Sequence, residues 1–171
     1  MSYENIFSLA QITGYIAFFA GIIAYLQKND LRLKLYSALE CAIGVVHFWL
    51  MGDPTAAATL FLSFLRSLFA MHTCNRWVAL FFIAMIICFG FSLAVSWTAI
   101  FPVAGSCIMT GAIFLLKGEH MRYAIMLGCF LWLINGILIG SIGSTCQETM
   151  VLGANIITII RLKRANKTLK A

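Results

Sequence analysis

Basic residues in this chain fall in every second gap between seven long apolar stretches, and that alternation constrains the fold more tightly than any other feature. The gaps after the first, third and fifth stretches hold Lys28, Arg32 and Lys34, then Arg76, then Lys117 and Arg122. The C-terminal segment holds Arg161, Lys163, Arg164, Lys167 and Lys170. The intervening gaps and the N-terminus carry Glu4, Asp53 and Glu148, with no Lys or Arg. Lys and Arg collect on the cytoplasmic flanks of membrane helices, so the pattern predicts seven crossings with the N-terminus outside and the C-terminus in the cytoplasm.

Composition agrees. The chain is 62% hydrophobic, against ~45 to 50% in soluble domains. Seven helices and their turns consume almost all 171 residues, so the expectation is one all-α, polytopic membrane domain over 1–171 with no separate soluble catalytic or nucleic-acid-binding unit. The formal charge of +6 is dispersed over helix flanks, and topology rather than nucleic acid accounts for it. The opening MSYEN has no positive n-region, and no small-x-small site closes the first stretch, so that stretch is expected to stay as a helix. Four of the six cysteines lie within apolar stretches and none has metal or disulfide spacing, so they are expected to be buried thiols. Neither a metal nor a cofactor is implied.

Helices are predicted near 6–27, 35–51, 55–71, 77–95, 100–116, 123–139 and 145–160. Several are short: 17 residues rise about 25 Å, less than the ~30 Å hydrocarbon core. Trp49 and Trp97 fall at the outer boundary and Tyr25, Tyr36, Trp77 and Tyr123 at the cytoplasmic one, as amphipathic rings prefer. In GDPT, Asp53 can cap the third helix with Pro54 in its first position. In TCQE, Thr145 and Glu148 have capping-box spacing, which starts the seventh helix there. Pro102 falls near the start of the fifth helix, either in its first turn, where proline is tolerated, or as a kink.

The spacing suggests a duplication of 3+1+3 form: a first triple-helix repeat over 6–71, a linker helix at 77–95, a second repeat over 100–160 and a basic cytoplasmic tail at 161–171. Sliding the chain by 88 residues sets Leu39 on Leu127, Cys41 on Cys129 and Gly52 on Gly140. A lone inverting helix gives both triplets the same orientation, the parallel-repeat plan of one transporter class.

GYIAF in the first helix, the Gln27-Lys28-Asn29 exit, HFWLMGDPTAAA across the first outer turn and Arg66 in the third helix resemble the YgjV-type bacterial inner-membrane proteins. That resemblance implies a bacterial inner membrane, hence a periplasmic N-terminus, and implies no substrate. The helix plan is also similar to the SWEET and PQ-loop superfamily, whose members move small solutes through paired triple-helix bundles; here Tyr25-Leu26-Gln27 stands in place of a Pro-Gln pair. Sugar-moving members line their pocket with a Trp on the sixth helix and an Asn on the seventh, which the resemblance carries to Trp132 and Asn155.

Ionisable groups inside hydrocarbon cost about 2.5 to 3.5 kcal/mol each on insertion scales and so turn inward or toward an interface. Glu40 and Arg66 sit at matching depths on adjacent antiparallel helices. They could pair as a structural clasp, Arg66 could snorkel to the cytoplasmic face, or the two could form a gate or site. Ser37, Glu40, Gly44, His47 and Met51 form one stripe, Thr55, Thr59, Ser63 and Arg66 a second, Gly128, Trp132 and Asn135 a third, and Asn155 and Thr158 a fourth. Each could serve helix packing alone, as could Gly14, Ala17 and Gly21; His47 could also switch charge near neutral pH. The reading is a small-solute transporter without enzymatic activity. Glu40, His47, Arg66, Trp132, Asn135 and Asn155 are its candidate binding and gating residues, and lipid and a small polar solute are its partners. The alternative is a non-transporting interaction or sensor subunit. Oligomeric state is left open.

Overall fold

The computed structural model describes residues 7–25, 30–73, 75–116 and 118–168. Glu4, Lys28, Cys74, Lys117 and Lys170 lie outside them, as do the side chains of Tyr25, Arg32, Lys34, Thr158, Arg161, Lys163, Arg164 and Lys167. The described chain is all helical: α1 Leu9–Tyr25, α2 Asp30–Leu50, α3 Pro54–Phe69, α4 Arg76–Ser92, α5 Ile100–Leu115, α6 Gly118–Ile139 and α7 Ile142–Thr168. No strand occurs among the described residues.

Three helices, α2, α6 and α7, run past their expected ends, because hydropathy marks where lipid stops and backbone hydrogen bonding continues beyond it. α2 begins five residues early, at Asp30, and α6 begins at Gly118. With 21 and 22 residues they rise about 32 to 33 Å. The expected shortness survives in α3 and α5, with 16 residues each, while α1 and α4, expected to be longer, are also short at 17 residues each. A 3-10 turn, Trp97–Ala99, leads directly into α5 and makes a 19-residue apolar span with it. Pro102 sits buried in the first turn of α5, the tolerated position.

Of the turns opposite the basic end, α2–α3 and α6–α7 close on a glycine with positive φ, Gly52 at +77° and Gly140 at +78°. The conformation is cheap for glycine alone. Beyond Gly52, Asp53 caps α3 as expected: its Oδ1 accepts from the Ala56 N–H at 2.9 Å, and Pro54 follows in the first helical position. Beyond Gly140 the expectation is corrected. Ser141 caps α7, its Oγ accepting from the Ser144 N–H at 3.2 Å. Thr145 is already inside the helix and donates to the Ser141 carbonyl at 2.7 Å. A capping residue one turn earlier wins because the α6–α7 turn needs only Gly140.

Packing closes a ring. In chain order α1, α2, α3, α5, α6 and α7 each pack on the next, and α7 packs back on α1, while α4 lies against α3 and α5. The outer surface is apolar, with Phe61, Phe81, Phe89, Leu127, Phe130 and Ile157 exposed. Polar groups are inside: Thr55, Thr59, Thr110, Asn135 and Ser141 are buried. A soluble monomer does not expose so continuous an apolar surface. Trp49, Trp77 and Trp97 stand exposed near helix ends, with the Arg76 guanidinium 5.4 Å from the Trp77 ring centre. The five described cysteines are free; Cys41 and Cys129 are buried as expected, but Cys88 and Cys146 are exposed.

Candidate functional site

A cavity of about 90 Å³ lies inside the ring, and every ring helix supplies part of its wall. From α2 come Ser37, Glu40, Gly44 and His47, from α3 Ser63 and Arg66, from α5 Ser106 and Met109, from α6 Trp132, from α7 Ser144, Gln147 and Glu148, and from α1 Gly14 and Ala17. α4 supplies none. Helical spacing makes this possible: steps of three and four residues keep each stripe on one face. One side of the wall belongs to the apolar core, where Phe48 and Trp132 meet edge to face at 5.6 Å with Leu60 and Met109 against them.

Glu40 and Arg66 both face this cavity, and each hydrogen-bonds to another helix of the ring. Glu40 accepts from the Gln147 amide on α7. Arg66 donates to Thr110 Oγ1 on α5 at 2.8 Å, and Thr110 in turn donates to the Ser106 carbonyl at 2.7 Å. Arg66 is 6% exposed, so it turns inward and does not snorkel. A buried guanidinium held this way keeps a charge inside hydrocarbon by exchanging water for fixed oxygen partners.

His47 joins three helices. Its Nδ1 lies 2.6 Å from the Ala10 carbonyl of α1 and its Nε2 lies 2.6 Å from Ser141 Oγ at the head of α7. A carbonyl only accepts, so Nδ1 donates there; in the neutral ring Nε2 then accepts from the Ser141 hydroxyl. The approach is close because a Cβ at Gly14 would sit 2.7 Å from the His47 ring, and one at Gly143 would sit 2.5 Å from the Gly14 backbone. Gln11 secures the same junction, its Nε2 donating to the Gly140 carbonyl at 2.7 Å and its Oε1 accepting from the Ile142 N–H at 3.2 Å.

Asn135 and Asn155 are buried but stand outside the cavity wall. Asn135 Nδ2 donates to Asp53 Oδ2 at 3.1 Å, so the Asp53 carboxylate divides between its own helix cap and α6. Asn155 accepts from Arg122 at 3.2 Å and donates to the Val151 carbonyl at 3.0 Å, which binds α6 to α7. The cavity thus unites Glu40, His47, Arg66 and Trp132 of the six candidates. The stripes containing Ser37, Gly44 and Ser63 contribute as expected, while Met51 is not part of the wall.

Gln147, Glu148 and Ser106 were missed. Starting the seventh helix at 145 assigned Glu148 to a cap; with the helix starting at Ile142, Ser144, Gln147 and Glu148 fall on one inward stripe. Ser106, among apolar neighbours in α5, gives no sequence signal beyond its hydroxyl.

Comparison with known proteins matches residues 8–166 to the Imp-YgjV family, described as "Bacterial inner membrane protein". The chain is 33% identical over 159 residues to "Inner membrane protein YgjV" of Escherichia coli (strain K12), covering 93% of this chain and 87% of that protein. No solved structure matches. With nearly its whole length aligned, the chain belongs to the YgjV family of bacterial inner membrane proteins.

Proposed function

We propose that this protein is a small-solute transporter of the inner membrane, without enzymatic activity, in which α1–α3 and α5–α7 are two parallel bundles that rock about the cavity between them. The observation that carries the reading is the wall itself: all six ring helices line one cavity that holds charged and aromatic groups, and α4, the expected linker, contributes nothing. The ring supports a 3+1+3 plan, because exchanging the two triplets leaves its order of neighbours unchanged. Two cross-links support it further. His47 of α2 bonds Ser141 at the head of α7, and Asn135 of α6 bonds Asp53 at the head of α3. His47 and Asn135 are 88 residues apart, as are Asp53 and Ser141 and the two turn glycines, so the bonds exchange when the halves exchange.

Both links lie at the end opposite the basic turns, which under the charge pattern is the periplasmic end. They hold that side shut, and Glu40 and Arg66 face the solute. The similarity of helix plan to SWEET and PQ-loop transporters belongs to this proposal.

The test is counterflow in liposomes with labelled amines, amino acids and sugars. Purified protein is expected to exchange at least one class, and Arg66→Ala and Glu40→Gln, folded by size-exclusion chromatography, to abolish exchange. Undiminished exchange in both variants removes the cavity from the pathway; no exchange of any class favours the sensor or interaction subunit.

A further inference from the structure

We infer that the cavity binds one small ammonium-type cation bearing N–H donors, ammonium itself or methylammonium in size; this rests on the reading of the cavity as the solute site. Three formal charges face it, the Glu40 and Glu148 carboxylates and the Arg66 guanidinium, so the fully ionised wall carries one negative charge in excess. A monovalent cation balances that sum.

The hydrogen-bonding groups left over ask for a donor. Arg66 is engaged by Thr110 and Glu40 by Gln147. The Glu148 side chain is hydrogen-bonded to the Cys129 thiol, but its Oε2, like Ser106 Oγ, is buried without a hydrogen-bond partner, and Ser106 is only 2% exposed. A carboxylate oxygen only accepts, and a hydroxyl can accept as well. Each can therefore accept an N–H from a guest. Oxygen-loving metal ions fit less well, since they seek about six or more oxygens, while the other side of this wall is Phe48, Trp132, Leu60 and Met109. Aromatic rings instead suit an organic cation, which they attract through the ring quadrupole.

Size narrows the class. A volume of about 90 Å³ is several times what one water requires. Ammonium and methylammonium fit it.

The experiment is equilibrium binding of labelled methylammonium to the purified full chain in detergent, with unlabelled competitors. Saturable binding is expected at one per chain, displaced by ammonium and not by sodium or tetramethylammonium at the same concentration. The latter carries no N–H. Glu148→Gln is expected to raise the half-saturating concentration about tenfold or more, the scale of one lost charge-assisted bond, and Ser106→Ala to raise it severalfold. If Glu148→Gln fails to fold, Glu148→Asp and the competitor series on the unaltered protein decide the matter. Absence of saturable binding, equal displacement by sodium or tetramethylammonium, or unchanged affinity in folded Glu148→Gln overturns the cation site. Methylammonium binding without flux in liposomes overturns transport and upholds the site. Flux of a neutral or anionic solute without methylammonium binding overturns the site and upholds transport.

Discussion

His47 makes more contacts that matter than its place near a helix end suggests, because it joins α1, α2 and α7 through two 2.6 Å bonds. Replacing it with alanine strands the Ala10 carbonyl and the Ser141 hydroxyl in a site with little water, where an unsatisfied polar group costs about 1 to 3 kcal/mol. His47→Ala is therefore expected to lower the denaturation midpoint in detergent by an amount in that range. A double-mutant cycle isolates the bond: Ser141→Ala should cost less in the His47→Ala background than alone. Strict additivity would show that the two side chains do not act on each other. Gly14 and Gly143 belong to the same junction, since neither has room for a methyl group beside its neighbour. The sequence marks Gly14 as a packing residue but cannot show what packs on it.

At the scale of elements, the decisive question is where a helix starts. Capping by Asp53 is readable because Asp, Pro and the preceding glycine stand together in GDPT. The α7 start is harder, as Ser141, Ser144 and Thr145 are all credible caps by residue type, and only the bonds at Ser141 decide among them. Ser141→Ala should cost ~1 kcal/mol or more, whereas Thr145→Ala should stay within about 0.5 kcal/mol. Thermal unfolding followed by tryptophan fluorescence would rank the two, and the reverse order would restore the capping box at Thr145. Gly52→Ala and Gly140→Ala are expected to cost about 1 kcal/mol each, for both turns need positive φ. A neutral result at either turn would contradict that conformation.

For the whole molecule, burial is inverted relative to a soluble protein: phenylalanine outside, asparagine and threonine inside. Lipid makes this stable, since apolar surface gains nothing by hiding from hydrocarbon while polar atoms must find one another. The charge pattern predicts orientation, and fusions check it: green fluorescent protein at the C-terminus should fluoresce and at the N-terminus should stay dark. The opposite pattern would invert the assignment of the cavity's two sides. α4 offers a separate check on the division of labour. Ile86, fully buried against Leu62 and Val103, should cost about 2 to 5 kcal/mol on change to alanine and leave exchange per folded molecule unaltered, because α4 touches no part of the cavity.

Hydropathy, basic flanks and polar stripes were enough to establish the helix count, the existence of inward faces on α2 and α3, and four cavity residues, Glu40, His47, Arg66 and Trp132. These are properties of period and composition, which lipid selects helix by helix. Which stripe meets which, and at what height, depended on helices packing around a common centre. Ring closure brought Gln147 to Glu40 and Thr110 to Arg66, and drew Asn135 and Asn155 into bonds away from the cavity. Partners more than 30 residues apart leave no trace in local periodicity, so only the tertiary structure could choose between them.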